Sequence, residues 1–128
     1  MKPYIKIFLV LLFISDCVLT NAQTNNPIQV LEQGRKTSIR GMSVVTDKIV
    51  WVSGSGGSVG KSVDGGKTFN WITVKGYEKR DFRDIEAYNQ NTAIIMAVAE
   101  PALILKTTDG GENWYKVFED STKGMFLD

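Results

Sequence analysis

Histidine is missing from this 128-residue sequence, and its only cysteine is Cys17. Without histidine there is no Ser-His-Asp or Cys-His relay, and the usual zinc sites are gone with it. One cysteine allows no intrachain disulfide. Long apolar runs are also scarce. The only one, Ile7–Ile14 (IFLVLLFI), is too short to span a bilayer. Charge of one sign is not in excess, with 15 Lys and Arg against 14 Asp and Glu. A nucleic-acid partner, which calls for a basic excess, is therefore not expected. Helical periodicity is absent beyond residue 23, which excludes a helical solenoid.

The N-terminal 22 residues read as a signal peptide. Lys2 and Lys6 precede the apolar run, and Thr20-Asn21-Ala22 places small residues where a signal peptidase cuts, before Gln23. A retained anchor is the competing reading, and the run's length argues against it. Lipid attachment at Cys17 is disfavoured by the charge of Asp16 beside it. Removal of this segment takes Lys2, Lys6, Asp16 and the lone thiol, leaving 13 charges of each sign. The chain is thus expected to be exported, with no stable membrane span after cleavage.

What the sequence does contain is a repeat. Ser62-Val63-Asp64-Gly65-Gly66-Lys67-Thr68-Phe69 returns as Thr107-Thr108-Asp109-Gly110-Gly111-Glu112-Asn113-Trp114, with Lys61 and Lys106 preceding each. Upstream, Ser38-Ile39-Arg40-Gly41-Met42 matches Asp81-Phe82-Arg83-Asp84-Ile85. Each unit divides into four short segments rich in β-branched residues and bounded by Gly, Asp, Asn or Pro. The first unit predicts strands over 40–45, 49–53, 58–62 and 69–74. The second predicts them over 83–88, 93–97, 102–107 and 114–118. Four strands in a unit of this length is the size of a propeller blade. The fold class is therefore all-β: a partial β-propeller of about two four-stranded antiparallel blades, behind an N-terminal signal helix.

The organisation expected is a signal peptide over 1–22, an N-terminal segment over 23–37, blades over 38–75 and 76–119, and the start of a third blade over 120–128. Ile28–Leu31 has the register of a fourth strand and is expected to close the ring by completing its last blade. Two blades leave an apolar face bare at each end, so the mature chain alone is expected to be marginal or to self-associate through its exposed edges.

Asp64 and Asp109 fall at the turn between the third and fourth strands. There a carboxylate can accept amides of its own turn while Gly65-Gly66 or Gly110-Gly111 supply positive φ. The hydroxyl of Ser62 or Thr107 adds a local bond, and Phe69 or Trp114 packs on the turn. One carboxylate per turn is far short of a calcium site, so no metal and no cofactor are expected. These turns resemble Asp-box (BNR) repeats, which occur in sialidases, sortilin-type receptors, some endoglucanases and the photosystem II stability/assembly factor-like propellers. The spacing and Arg83-Asp84-Ile85 are most similar to the last group. The resemblance covers about residues 28 to 128 and implies a propeller of which this chain is an N-terminal part; it implies little about activity.

Two apparent catalytic motifs dissolve on inspection. Gly56-Gly57-Ser58-Val59-Gly60 has the form of a nucleophile elbow but neither a following helix nor a histidine. Gly60-Lys61-Ser62 ends like a phosphate-binding loop, yet Ser55 stands where that loop needs its first glycine.

In an up-and-down blade, the turn before strand one and the turn between strands two and three share a face, opposite the Asp boxes. That face collects Lys36, Arg40, residues 54–57, residues 77–83, Glu100-Pro101 and Lys123. Arg40 and Arg83 start the innermost strands and would form part of a basic ring suited to an anionic ligand or a protein partner. Arg80, Lys36 and Glu100 are further candidates. Pairing of each Arg with Asp81, Asp84 or Glu86 is the equal alternative. A non-catalytic scaffold for binding or assembly needs only such a face. The alternative, a sialidase-like or other glycoside hydrolase propeller, needs an acid pair or a Tyr-Glu nucleophile pair that the sequence does not point to.

Overall fold

The computed structural model of the chain describes residues 29–31 and 36–124. The expected signal helix and residues 125–128 of the third-blade start lie outside these residues. The first unit forms β1 (Ile39–Val44), β2 (Val50–Gly54), β3 (Ser58–Ser62) and β4 (Asn70–Thr73). The second forms β5 (Phe82–Ala87), β6 (Ala93–Ala97), β7 (Ala102–Thr107) and β8 (Tyr115–Asp120). Each set is a four-stranded antiparallel sheet in sequential order. No boundary departs from the sequence expectation by more than two residues.

Local chemistry explains the reversals. At the β1–β2 turn the Thr46 hydroxyl accepts the amides of Lys48 (3.2 Å) and Ile49 (3.0 Å). At the β5–β6 turn the Asn89 side chain accepts those of Asn91 and Thr92, both at 2.8 Å. These are the side-chain mimics of a backbone turn that Thr and Asn provide.

The blades pack face to face through their inner strands. We call the face of a blade that looks toward the next one its forward face, and the other its rear face. The forward face of blade 1 presents Gly41, Ser43, Trp51, Ser53 and Val59. It meets the rear face of blade 2, where Phe82, Ile85, Ala87, Ala93 and Ile95 are buried in one continuous apolar core. Burying each large side chain contributes roughly 1.5–3 kcal/mol. Polar groups in the junction are satisfied across it. Trp51 Nε1 donates to the Asn89 carbonyl (3.2 Å), Ser53 Oγ to that of Phe82 (3.3 Å), and the Ala87 amide donates to Ser43 Oγ (3.0 Å). Gly41 is required for this approach, because a Cβ there would sit 2.8 Å from the Asp84 Cα.

The repeat isolates what a neighbour does. Strand pairing makes Met42 the counterpart of Ile85, and Val44 that of Ala87. Ile85 and Ala87 are 2% and 7% exposed under blade 1, whereas Met42 and Val44, on the uncovered rear face of blade 1, are 67% and 61% exposed. Ile94, Met96 and Ile104 on the forward face of blade 2 are likewise only partly buried, where Trp51, Ser53 and Val59 are fully buried in blade 1.

Residues 29–31 of the expected ring-closing strand carry no strand assignment, and residue 28 lies outside the described residues. Leu31 nevertheless reaches the first Asp box, its Cδ1 3.2 Å from where a Cβ on Gly66 would be. On the second box the matching place above Gly111 is held by Ile72 of β4. Leu31 therefore stands where the outer strand of a preceding blade would stand.

Candidate functional site

The two ends of the blades are chemically different. At one end lie the Asp boxes. Asp64 accepts the Thr68 amide (2.9 Å), the Ser62 hydroxyl (2.8 Å) and the Thr68 hydroxyl (2.7 Å). Asp109 accepts the equivalent groups of Asn113 and Thr107. Bonds from the Thr68 amide and hydroxyl, then from Ser62, hold the Asp64 carboxyl down at about 2. Those from the Asn113 amide and side chain, then from Thr107, do the same for Asp109, also at about 2. The hydroxyls of Ser62 and Thr107 in turn accept the buried amides of Gly66 (2.8 Å) and Gly111 (3.0 Å). Gly65, Gly66, Gly110 and Gly111 all have positive φ, from 78° to 95°. Phe69 packs near Gly66, and Trp114 Nε1 donates to the Gly111 carbonyl (3.1 Å). Both carboxylate oxygens of each box are consumed by its own turn.

The boxes also join the blades, a role that spacing alone did not indicate. Lys61 Nζ crosses from blade 1 to the carbonyls of Gly110 (2.9 Å) and Gln90 (3.3 Å), and it lies 5.2 Å from the Trp51 ring centroid. The available signal was the lysine that precedes each box in the sequence.

At the opposite end, the β2–β3 turn of blade 1 meets the loop entering β5. The Gly57 amide donates to the Arg80 carbonyl (2.6 Å) and the Gly56 amide to Asp81 Oδ1 (3.4 Å). Here β1 and β5 each carry a register shift, between Ile39 and Gly41 and between Phe82 and Asp84. The extra residues are Arg40 and Arg83. A bulge of this kind re-aims a side chain off the ladder. Both arginines line one open hollow of about 500 Å³ with Ser38, Ile39, Asp84 and Met96.

The charges in this hollow are not equivalent. Arg40 pairs with Asp81 (3.4 Å), both being partly exposed. Arg83 is exposed and makes no hydrogen bond or ion pair among the described residues. Asp84 turns back onto its own strand, accepting the Ile85 amide at 2.9 Å. The remaining candidates lie elsewhere. Arg80 is committed to a carbonyl cradle formed by Ala99 (2.7 Å), Glu100 (3.0 Å) and Pro101. Glu100 accepts the Gly124 amide at 2.6 Å. Lys36 is exposed and does not line the hollow.

Repeated four-stranded blades, box turns at one rim and a re-aimed arginine pair at the other define a two-blade portion of a β-propeller. A family model described as Photosynthesis system II assembly factor YCF48 matches residues 20–123. The chain belongs to that family. Among solved structures, "YCF48 bound to D1 peptide" is similar with a TM-score of 0.56 at 25% identity, over 68% of this chain and 28% of that one. YCF48 from Cyanidioschyzon merolae is similar in fold with a TM-score of 0.56 at 19% identity, over 73% of this chain and 30% of that one. The chain thus spans less than a third of the length of either structure. No curated protein sequence matches it.

Proposed function

We propose that the chain is part of an exported, non-catalytic propeller scaffold that binds a protein partner at the Arg40–Arg83 hollow. The observation that carries this reading is the paired bulge. Two repeat-equivalent arginines leave their ladders at the same height and line one opening. Fork-shaped guanidinium groups in an open, partly apolar hollow suit the carboxylates of an extended peptide. The similar solved structure holds a D1 peptide, which supports a peptide as the class of ligand. Export rests on residues 1–22, whose removal would leave a chain that starts at Gln23; the intact mass of protein recovered from an exporting host checks this.

The test titrates the full chain with a fluorescent D1 peptide and its C-terminally amidated form. Saturable binding is expected. It should weaken about tenfold or more in Arg83→Ala, the scale of one lost charge-assisted contact. Binding unaltered in the Arg40→Ala/Arg83→Ala double variant defeats the assignment of the site. Hydrolysis of aryl glycosides by the full chain, abolished by replacing one carboxylate, would instead establish the glycosidase alternative.

A further inference from the structure

The carboxylate that meets Arg40 does not come from its own blade. Asp81 stands two residues before Arg83, close enough along the chain to serve that arginine. It reaches instead across the junction to Arg40, with Oδ2 3.4 Å from Nη2, while its Oδ1 accepts the Gly56 amide at 3.4 Å. Every group in this contact belongs to blade 1 or to the segment entering blade 2, so it forms within the junction itself.

Two features make the contact displaceable. The first is its geometry. A guanidinium and a carboxylate that are well matched close to about 2.7–2.9 Å, with both oxygens on the fork. Here a single oxygen meets a single nitrogen at 3.4 Å, and Arg40 makes no other bond among the described residues. The two side chains are 35% and 45% exposed, and ion pairs in such surroundings contribute little. The second feature is the backbone on either side of Asp81. The Arg80 carbonyl accepts the Gly57 amide, the Arg80 guanidinium sits on the carbonyls of Ala99 and Glu100, and Phe82 is fully buried. Asp81 can therefore rotate to another side-chain rotamer while the chain before and after it stays in place.

We infer that Asp81 is a built-in competitor for the guanidinium of Arg40, and so a specificity-determining residue of the hollow. The inference rests on the binding role proposed for the hollow. A ligand carboxylate that brings both oxygens to Arg40 replaces one long contact by two short ones and turns Asp81 aside. A neutral carbonyl carries no charge to exchange for the one it would remove, and Asp81 keeps its place. The hollow thereby admits the carboxylates of an acidic peptide and refuses uncharged segments. Ser38 precedes β1 as Asp81 precedes β5, so this position accommodates a small uncharged side chain.

Titration of the full chain with the fluorescent D1 peptide in its free-acid form tests the inference, comparing the unsubstituted chain, Asp81→Asn, Arg40→Ala and the double variant. Asparagine keeps an oxygen for the Gly56 amide and removes the charge. Asp81→Asn should bind about three- to fivefold more tightly, the scale of an exposed ion pair. Arg40→Ala should bind more weakly, and adding Asp81→Asn to it should then gain less than about twofold. If Asp81→Asn proves unstable in a thermal melt, Asp81→Ser, patterned on Ser38, takes its place. The inference is overturned if removing the carboxylate leaves the affinity of the chain unchanged. It is equally overturned if the gain is as large without Arg40, since Asp81 would then act as a diffuse charge and not as a competitor for that arginine. Either result leaves the hollow standing as the binding site. Binding that survives the loss of Arg40 and Arg83 together, or no binding by any variant, removes the hollow and the inference with it.

Discussion

Replacing Lys61 by methionine should loosen the two blades without changing either one. Methionine keeps the length and apolar stem of the side chain but removes the ammonium. What disappears is the bond to the Gly110 carbonyl at 2.9 Å, the weaker one to Gln90 at 3.3 Å, and the charge 5.2 Å from the Trp51 ring. A hydrogen bond from a charged donor contributes about 1.5–3 kcal/mol. Lys61 is half-buried, so the lower end of that range applies. A cation over an aromatic face at a partly exposed site adds about 0.5–1 kcal/mol. Together the loss is about 2 kcal/mol, which for a domain of this size lowers the melting midpoint by roughly 8–16 °C. The repeat supplies the control. Lys106 is chemically identical and precedes its own box, but it is exposed and has no carbonyl to reach among the described residues. Lys106→Met should change stability by less than about 0.5 kcal/mol. Urea denaturation at a concentration where the chain is monomeric compares the two. Equal losses in both variants, or a loss below about 0.5 kcal/mol in Lys61→Met, would refute the idea that the lysine acts across the junction.

Thr107→Val keeps the shape of a fully buried side chain but strands the Gly111 amide, which now bonds its hydroxyl at 3.0 Å. Leaving that donor unsatisfied should cost about 1–3 kcal/mol in equilibrium unfolding, and a neutral result would show that the box hydroxyl is dispensable. Acid should weaken the fold through Asp64 and Asp109. Their folded values of about 2 lie below the ordinary 3.8, so their stabilisation is complete above about pH 4 and is lost as pH falls toward 2. The Asp64→Asn/Asp109→Asn double variant should be less stable at neutral pH and show a flatter acid slope. Thermal melts across that window would contradict this if the unsubstituted chain grew more stable on acidification.

The parts of the fold legible in the sequence are those written in local chemistry. Ser62 and Thr107 with their Asp-Gly-Gly turns announced the boxes, and segments rich in β-branched residues between Gly, Asp, Asn or Pro placed all eight strands. Arg40 and Arg83 stood out because they recur. Their bulges did not, since a one-residue slip in a ladder is a property of the strand pair and not of either segment alone. Long-range commitments were hidden for the same reason. Arg80 and Arg83 are three residues apart and equally basic, yet the first is held by the carbonyls of residues 99–101 while the second faces open space. Likewise, nothing in the residues around Trp51 signalled that it would be fully buried by the next blade.

The bulges have a consequence for how such a surface can diversify. Ile39 and Gly41 pair with Gly54 and Ser53, and Phe82 and Asp84 with Ala97 and Met96, so the arginine between them belongs to no rung. Deleting it would close the ladder into regular alternation, with Ile39 and Gly41, or Phe82 and Asp84, still paired as they are and on the faces they already occupy. Exchanging it for another side chain disturbs no rung and no buried neighbour. The ladder thus fixes neither the presence nor the identity of the residue at these positions. A propeller that repeats the device in each blade carries a rim on which one side chain per blade can be rewritten independently, and its binding preference can change by single substitutions while its fold stays as it was.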